Sequence, residues 1–194
     1  MTHTGTPWRD SAMLLIDHQV GTMSWVRSIA HEDMKRNAIM LAKAAKIMKL
    51  PTVLTSSMED HAQGPLMSEL ETILPEEFKA RVQRAGIVNA MDDRNFAAAV
   101  KATGRNRLIV AGVTNDVCTV FPTLSLLSQG HEVLVVADAG GSPSKAGDDL
   151  SLNRMEKAGA IVLGTNQLLA GLAGDWSTPE GTELVTVLAA ALQG

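Results

Sequence analysis

Short apolar runs recur along this chain without strict alternation of polar and apolar residues, and segments with helical spacing separate them. Six such runs occupy residues 11–17, 51–57, 81–86, 107–113, 132–138 and 160–165. Runs of this kind are typical of strands that are buried on both faces of a parallel sheet. The helical segments between and after them are residues 31–50, 65–74, 92–104, 116–130, 145–159 and 178–193. Alternation of this kind predicts βαβ units.

We therefore expect an α/β fold with a doubly wound, mainly parallel six-stranded sheet and helices on both faces, in a Rossmann-like arrangement of three layers. A length of 194 residues fits a single domain that spans residues 1–194. The order of the strands in the sheet cannot be read from their spacing.

Composition excludes several classes of function. A net charge of −4 provides no general attraction to nucleic acid or to an anionic membrane. Aromatic residues make up only 3% of the chain, which argues against stacking on single-stranded nucleic acid. No apolar run approaches the roughly 18 residues of a membrane span, and residues 1–17 lack the pattern of a signal peptide. The single cysteine cannot form an intrachain disulfide, so we expect a cytoplasmic protein.

Polar side chains follow most of the predicted strands, at the sheet edge where ligands bind in open parallel sheets. They are Asp17, His18, Gln19, Ser56, Ser57, Glu59, Arg84, Asn89, Thr114, Asn115, Asp116, Cys118 and Asp138. A carboxylate, a cation and a thiol could therefore meet at this edge.

Each of these three groups also has a structural interpretation. Asp17 could cap a turn, Arg84 could be a surface arginine, and Cys118 could be a small buried apolar residue. The predicted position of Cys118 in the first turn of a helix favours a functional thiol. Unpaired N–H groups and the helix dipole at such a position would lower the thiol pKa, and the same N–H groups could stabilise an oxyanion.

Motifs for other chemistries are absent from the sequence. It contains no GxGxxG after a strand, no GxxxxGK[ST] and no GxSxG, so we expect no cofactor. The five histidines show no close pairing, and we expect no metal.

Four blocks together resemble the isochorismatase-like cysteine hydrolase superfamily, and the details around the cysteine are most similar to its YcaC-type branch. The blocks are LLIDHQVG (14–21), RAGIVNAMDDRNF (84–96), the long segment from Arg107 to Ser142, and RMEKAGAIVLGT (154–165). The likeness extends to about Trp176. The resemblance implies that Cys118 is the nucleophile and Asp17 the acid and base.

The resemblance also assigns roles to the residues around this pair. Arg84 stands where most of the superfamily has lysine, and it would hold Asp17, because an arginine cannot shuttle protons at neutral pH. A cis peptide would join Val113 and Thr114, and the N–H groups of Thr114 and Cys118 would form the oxyanion hole. Segment 55–64 lacks the paired histidines of the metal-binding members.

The resulting hypothesis is a hydrolase that cleaves a small-molecule amide-type C–N bond through a thioester on Cys118, with Gln19, Asn89 and Phe121 lining the pocket. The alternative is a redox-responsive or ligand-binding module in which Cys118 is modified rather than catalytic. A vinyl-ether hydrolase of the isochorismatase type is disfavoured, since those members lack the nucleophilic cysteine. The resemblance further implies a homo-oligomer such as an octamer, with no partner beyond a small-molecule substrate.

Overall fold

A computed structural model of the chain describes residues 8–192. Its strands are β1 (Ser11–Ile16), β2 (Thr52–Ser57), β3 (Val82–Arg84), β4 (Arg107–Gly112), β5 (Glu132–Val136) and β6 (Ile161–Leu163). Its helices are α1 (Val20–Ser24), α2 (His31–Ile47), α3 (Ser68–Ile73), α4 (Pro75–Lys79), α5 (Arg94–Ala102), α6 (Val120–Ser128), α7 (Lys145–Lys157), α8 (Thr165–Ala173) and α9 (Pro179–Leu192). The expectations for the first residues of the chain and for the end of the last helix at residue 193 fall partly outside the described residues.

The six strands form one sheet in the order β3-β2-β1-β4-β5-β6, and every neighbouring pair is parallel. The chain therefore places β2 and β3 on one side of β1, and then places β4, β5 and β6 on the other side. The switch point lies between β1 and β4, where a crevice opens at the carboxyl ends of the strands. The predicted fold class is confirmed.

Alternate residues of each strand pack on opposite faces of the sheet. Met13 and Leu15 of β1 belong to a core that α2, α3, α8 and α9 cover. Leu14 and Ile16 belong to a second core that α5, α6 and α7 cover, with Phe96 of α5 completely buried. Burial on both faces explains why the strands read as continuous apolar runs in the sequence.

The starts of α5 and α7 follow the capping preferences of the sequence. The Asp93 side chain accepts hydrogen bonds from the N–H groups of Asn95 and Phe96 and so begins α5. Ser144 caps α7 by accepting from the N–H of Gly147 at 3.1 Å.

Two details differ from the sequence prediction. The segment 116–130 is not one helix: a π-helical turn (Asn115–Thr119) precedes α6. Helices α1, α4 and α8 were not predicted, and the first two are only five residues long. Short helices of this kind depend on packing rather than on a sequence period.

Within residues 8–192, no helix combines the length and the apolar character that crossing a membrane requires.

Candidate active site

Three side chains that end or follow three different strands meet at the carboxyl edge of the sheet. Asp17 follows β1 directly, Arg84 is the last residue of β3, and Cys118 lies in the π-helical turn after β4. Since β1 and β4 are neighbours at the switch point, Asp17 and Cys118 are brought together by the topology alone. Arg84 comes from a strand that is separated from β1 by β2.

Backbone geometry directs Asp17 into this site. Its φ of 57° places it in the left-handed region, which aspartate tolerates better than most residues. Its N–H donates to the carbonyl of Thr55 at 2.9 Å, so the turn is anchored to β2. The side chain is almost completely buried.

Arg84 makes a dense set of hydrogen bonds. Its Nη2 donates to both carboxylate oxygens of Asp17 at 2.5 Å. Its Nε donates to Oγ1 of Thr55 at 3.1 Å, and its Nη1 donates to the carbonyl of Ile87 at 2.6 Å. Two strand spacings separate β3 from β1, roughly 10 Å, and the long guanidinium side chain bridges β2 to reach the carboxylate. The guanidinium is thereby fixed in one orientation.

The electrostatics of the pair Asp17 and Cys118 favour a neutral thiol beside a carboxylate. Burial raises the pKa of Asp17, and the positive charge and hydrogen bonds of Arg84 oppose that rise. Burial raises the pKa of the Cys118 thiol strongly, and the neighbouring Asp17 charge raises it further. The thiol therefore stays protonated and donates a hydrogen bond to the carboxylate of Asp17.

The prediction that a helix start lowers the thiol pKa was wrong. Cys118 lies in a π-helical turn rather than in the first turn of α6. The N–H of Thr114 does point to the sulfur and lowers its pKa, as does the charge of Arg84, but burial and Asp17 outweigh both effects.

The peptide bond between Val113 and Thr114 is cis, at the position that the resemblance implies. Two contacts fix the loop that follows it. The N–H of Asn115 donates to the carbonyl of Gly141 at 2.8 Å, and the Asn115 side chain donates to Asp148 at 3.0 Å. Oγ of Ser142 also donates to Asp148, at 2.7 Å. The buried carboxylate of Asp148 thus ties the turn that carries Cys118 to the start of α7.

His18 is a neighbour of Asp17 but does not belong to the site. It is fully buried and is not among the cavity-lining residues, and burial lowers its pKa to about 4. Its Nε2 lies 2.8 Å from the carbonyl of Ala139, so Nε2 carries the proton of the neutral ring. A neutral histidine held in this way is a structural residue rather than a catalytic base.

A cavity of about 280 Å³ gives access to the three side chains. Its lining residues are Asp17, Thr22, Trp25, Ser57, Met58, Gln63, Arg84, Gly86, Ile87, Val88, Thr114, Asp116, Val117, Cys118 and Pro143. The polar groups of Asp17, Arg84 and Cys118 share this cavity with a mainly apolar wall. Its size suits a small molecule rather than a polymer.

The three residues suggested for the pocket wall do not line this cavity. Gln19 is completely buried, and its amide donates to the carbonyl of Ser57 at 2.9 Å and accepts from the N–H of Ser57. Asn89 donates to Oγ of Ser125 and accepts from the N–H of Met91. Phe121 lies on the surface beneath the guanidinium of Arg154. All three are engaged elsewhere, so the suggestion is corrected.

Apolar wall residues from loops were missed instead, among them Trp25, Ile87 and Val88. Each is partly exposed on a loop, where a large apolar side chain is unusual enough to serve as a sequence signal. Within residues 8–192, no cluster of three or more His, Cys, Asp or Glu side chains could hold a metal ion.

Comparison with known proteins identifies relatives along nearly the whole chain. The model of the family described as Isochorismatase domain matches residues 11–167. A protein of Escherichia coli strain K12 named "Probable hydrolase YcaC" is 40% identical over 167 residues, which is 86% of this chain and 79% of that protein.

Two solved structures are similar in both sequence and fold. YcaC from Pseudomonas aeruginosa, solved with hexane-2,5-diol and covalent acrylamide, is 38% identical with a TM-score of 0.91, covering 100% of this chain and 96% of that one. The Escherichia coli YcaC structure, described as an octameric hydrolase of unknown specificity, is 36% identical with a TM-score of 0.88, covering 99% and 91%.

Proposed function

This chain belongs to the isochorismatase family of hydrolases, and we propose that it cleaves a small-molecule amide-type C–N bond through a thioester on Cys118. The observation that carries the proposal is the meeting of the Cys118 thiol, the Asp17 carboxylate and the N–H of Thr114 in one small cavity. A nucleophile beside a base and a backbone donor is the arrangement that acyl transfer requires.

In the first half of the reaction, Asp17 takes the thiol proton while the sulfur bonds to the carbonyl carbon. The carbonyl electrons move to oxygen, and the N–H groups of Thr114 and Cys118 stabilise the oxyanion. The carbonyl then re-forms, the C–N bond breaks, and Asp17 passes its proton to the departing nitrogen. The products of this half are a free amine or ammonia and an acyl group on Cys118.

In the second half, a water molecule gives a proton to Asp17 while its oxygen bonds to the thioester carbon. Collapse of this second oxyanion breaks the C–S bond, and the proton returns to the sulfur. A carboxylic acid leaves, and the enzyme regains its starting protonation state. Arg84 transfers no proton in this sequence; it holds the Asp17 carboxylate in place and limits the rise of its pKa.

The raised thiol pKa is compatible with this mechanism, because Asp17 removes the proton during the attack and no thiolate has to form beforehand. The covalent acrylamide in the Pseudomonas aeruginosa relative supports the presence of a reactive nucleophile in this type of protein. The redox-responsive alternative has less support, since redox-sensing cysteines depend on a low thiol pKa.

We extend the proposal to assembly: because the Escherichia coli relative is described as octameric, the protein should form a homo-oligomer. Light scattering should then give a mass that is a multiple of the 20.6 kDa chain, and a monomer mass would contradict the extension.

The reaction is tested by measuring ammonia release from a panel of small primary amides. Cys118→Ala should lower turnover by about a thousandfold or more while the far-UV circular dichroism stays unchanged. Ser128→Ala, at an exposed position on α6, serves as the matched control and should behave like the wild type. Full activity of Cys118→Ala on any amide that the wild type cleaves would refute the thioester mechanism.

A further inference from the structure

The charged groups that line the cavity do not balance. Asp17 and Arg84 form an ion pair at 2.5 Å, so their formal charges cancel. Among residues 8–192, the remaining charged residue of the lining is Asp116, and no lysine or second arginine belongs to it. The cavity therefore carries a formal charge of −1 at the carboxylate of Asp116.

This carboxylate has an unused hydrogen-bonding position. Oδ1 of Asp116 is buried and has no hydrogen-bond partner among residues 8–192. Within residues 8–192, no lysine, arginine or histidine forms a salt bridge with Asp116 either. A buried carboxylate oxygen without a partner costs free energy, and a positively charged ligand group in the cavity would stabilise the Asp116 carboxylate.

Asp116 is a neighbour of the reacting thiol in the same turn of the chain. Asp116 and Cys118 lie two residues apart in the same π-helical turn, and both line the cavity. The side chain of Asp148 holds this turn through Asn115, so the spacing between the two groups is fixed. The rest of the wall is mainly apolar, with Trp25, Ile87 and Val117 among its residues.

We propose that the substrate is a small amide that carries an ammonium or other basic nitrogen group, which Asp116 binds, and that the site rejects amides that carry a carboxylate. The inference rests on the proposed amide hydrolysis and specifies its substrate class. The basic group would pair with the carboxylate of Asp116 while the amide carbonyl faces Cys118, and a short apolar spacer would contact the wall. A carboxylate in the same place would meet Asp116 without a free cation to compensate.

The charge preference can be tested without any hydrolysis, by alkylating Cys118 with three small reagents that differ in charge. Iodoacetate is anionic, iodoacetamide is neutral and 2-bromoethylammonium is cationic. Each rate is divided by the rate of the same reagent with N-acetylcysteine, which removes intrinsic reactivity. We expect the normalised rate to be about tenfold higher for the cation than for the anion, and Asp116→Asn to bring the ratio close to one. Asp149→Asn, an exposed change of the same kind on α7, should keep the wild-type ratio.

The substrate class is tested with three amides of similar length: 4-aminobutanamide, pentanamide and succinamate. The value of kcat/KM for ammonia release should fall in that order, and Asp116→Asn should reduce the ratio between the first and the last by about tenfold. Circular dichroism and residual turnover of pentanamide would show that the variant is folded.

The outcomes separate this inference from the proposed function. Equal normalised alkylation rates, or a preference for succinamate, would overturn the role of Asp116 even if all three amides are hydrolysed. A charge preference in alkylation without hydrolysis of any amide would retain the basic-group site and refute amide cleavage. Absence of alkylation by every reagent, together with absence of hydrolysis of every amide, would overturn both.

Discussion

Arg84 shows at the scale of one residue why arginine and lysine are not equivalent in this position. Three nitrogens of its guanidinium are used at once, on Asp17, Thr55 and the carbonyl of Ile87. A lysine ammonium is a compact point charge, which could contact Asp17 but could not hold the same three groups in one plane. The residue therefore serves to orient the carboxylate as well as to offset its charge.

Replacing Arg84 should move the pH dependence of the reaction. Asp17 has to be ionised to accept the thiol proton, so activity is lost as the pH falls through the pKa of Asp17. That pKa is already raised above the ordinary 3.8 by burial, and Arg84 opposes the rise. In Arg84→Gln, we expect the acid limb of kcat/KM to shift upward by about one pH unit or more, together with a loss of rate.

Arg81→Gln is the matched control, because Arg81 belongs to an ion pair with Glu59 that does not line the cavity. Its acid limb should coincide with that of the wild type. The Arg84→Gln variant should still melt cooperatively. If its acid limb then lies at or below the pH of the wild-type limb, Asp17 is not the group that titrates.

Features of single residues could be predicted where they depend on the neighbouring sequence, and could not be predicted where they depend on contacts between distant segments. Asp17 and Cys118 could be singled out because each follows a strand, and the carboxyl ends of parallel strands share one edge. The thiol pKa could not be predicted, since burial and the nearness of Asp17 arise from strands that are far apart in the sequence. Gln19 was misplaced for the same reason: its hydrogen bonds to Ser57 come from a loop contact that no spacing reveals.

At the scale of elements, the site depends on how the π-helical turn is attached to its neighbours. Asn115 and Ser142 both donate to the buried carboxylate of Asp148, so one side chain of α7 fixes the turn and the loop after β5. The sequence predicts α7 but gives no sign that its first-turn acid faces inward. It also predicts one continuous helix after β4, whereas the extra residue of a π turn has no periodic signature.

Asp148→Ala should destabilise the protein and the site together. The change leaves the donors of Asn115 and Ser142 without their acceptor, which costs about 1–3 kcal/mol per buried group. We expect a clear loss in the free energy of unfolding by urea denaturation, with a fall in kcat that exceeds any change in KM.

Asp149→Ala is the control for this change, since Asp149 is the next residue of α7 and pairs with the exposed Lys145. Its effect on stability should stay within about 0.5 kcal/mol. Equal effects of the two substitutions would contradict the role assigned to Asp148.

At the scale of the whole molecule, the sequence predicted the layer architecture well because burial on both faces of a parallel sheet leaves a strong pattern. The strand order was not predictable, since an apolar run such as 160–165 looks the same at the centre and at the edge of a sheet. The cavity wall was not predictable either, as Trp25 and Val88 lie on different loops that meet only in the folded chain.

His18 makes folding itself pH dependent. Its pKa is lowered from 6.5 to about 4 in the folded protein, so between these values the unfolded chain binds a proton that the folded chain does not. The free energy of unfolding should therefore decrease by about 3 kcal/mol from this residue as the pH falls through that range. His18→Gln should show a smaller decrease between pH 6.5 and 5 in chemical denaturation.

His61→Gln, at an exposed position, provides the comparison and should follow the wild-type curve. Parallel curves for the wild type and His18→Gln would show that His18 is not buried as a neutral ring.

The central claim is that Cys118 forms an acyl intermediate, and intact-mass spectrometry of the protein during turnover tests it most directly. Small activated esters and amides with slow deacylation should add the mass of their acyl group, once per chain, at Cys118. Asp17→Asn should slow formation of this adduct, and Cys118→Ser should show no thioester that hydroxylamine removes at neutral pH. The account would be contradicted if the wild type formed product without any acyl adduct under rapid-quench conditions and Cys118→Ala also turned substrate over.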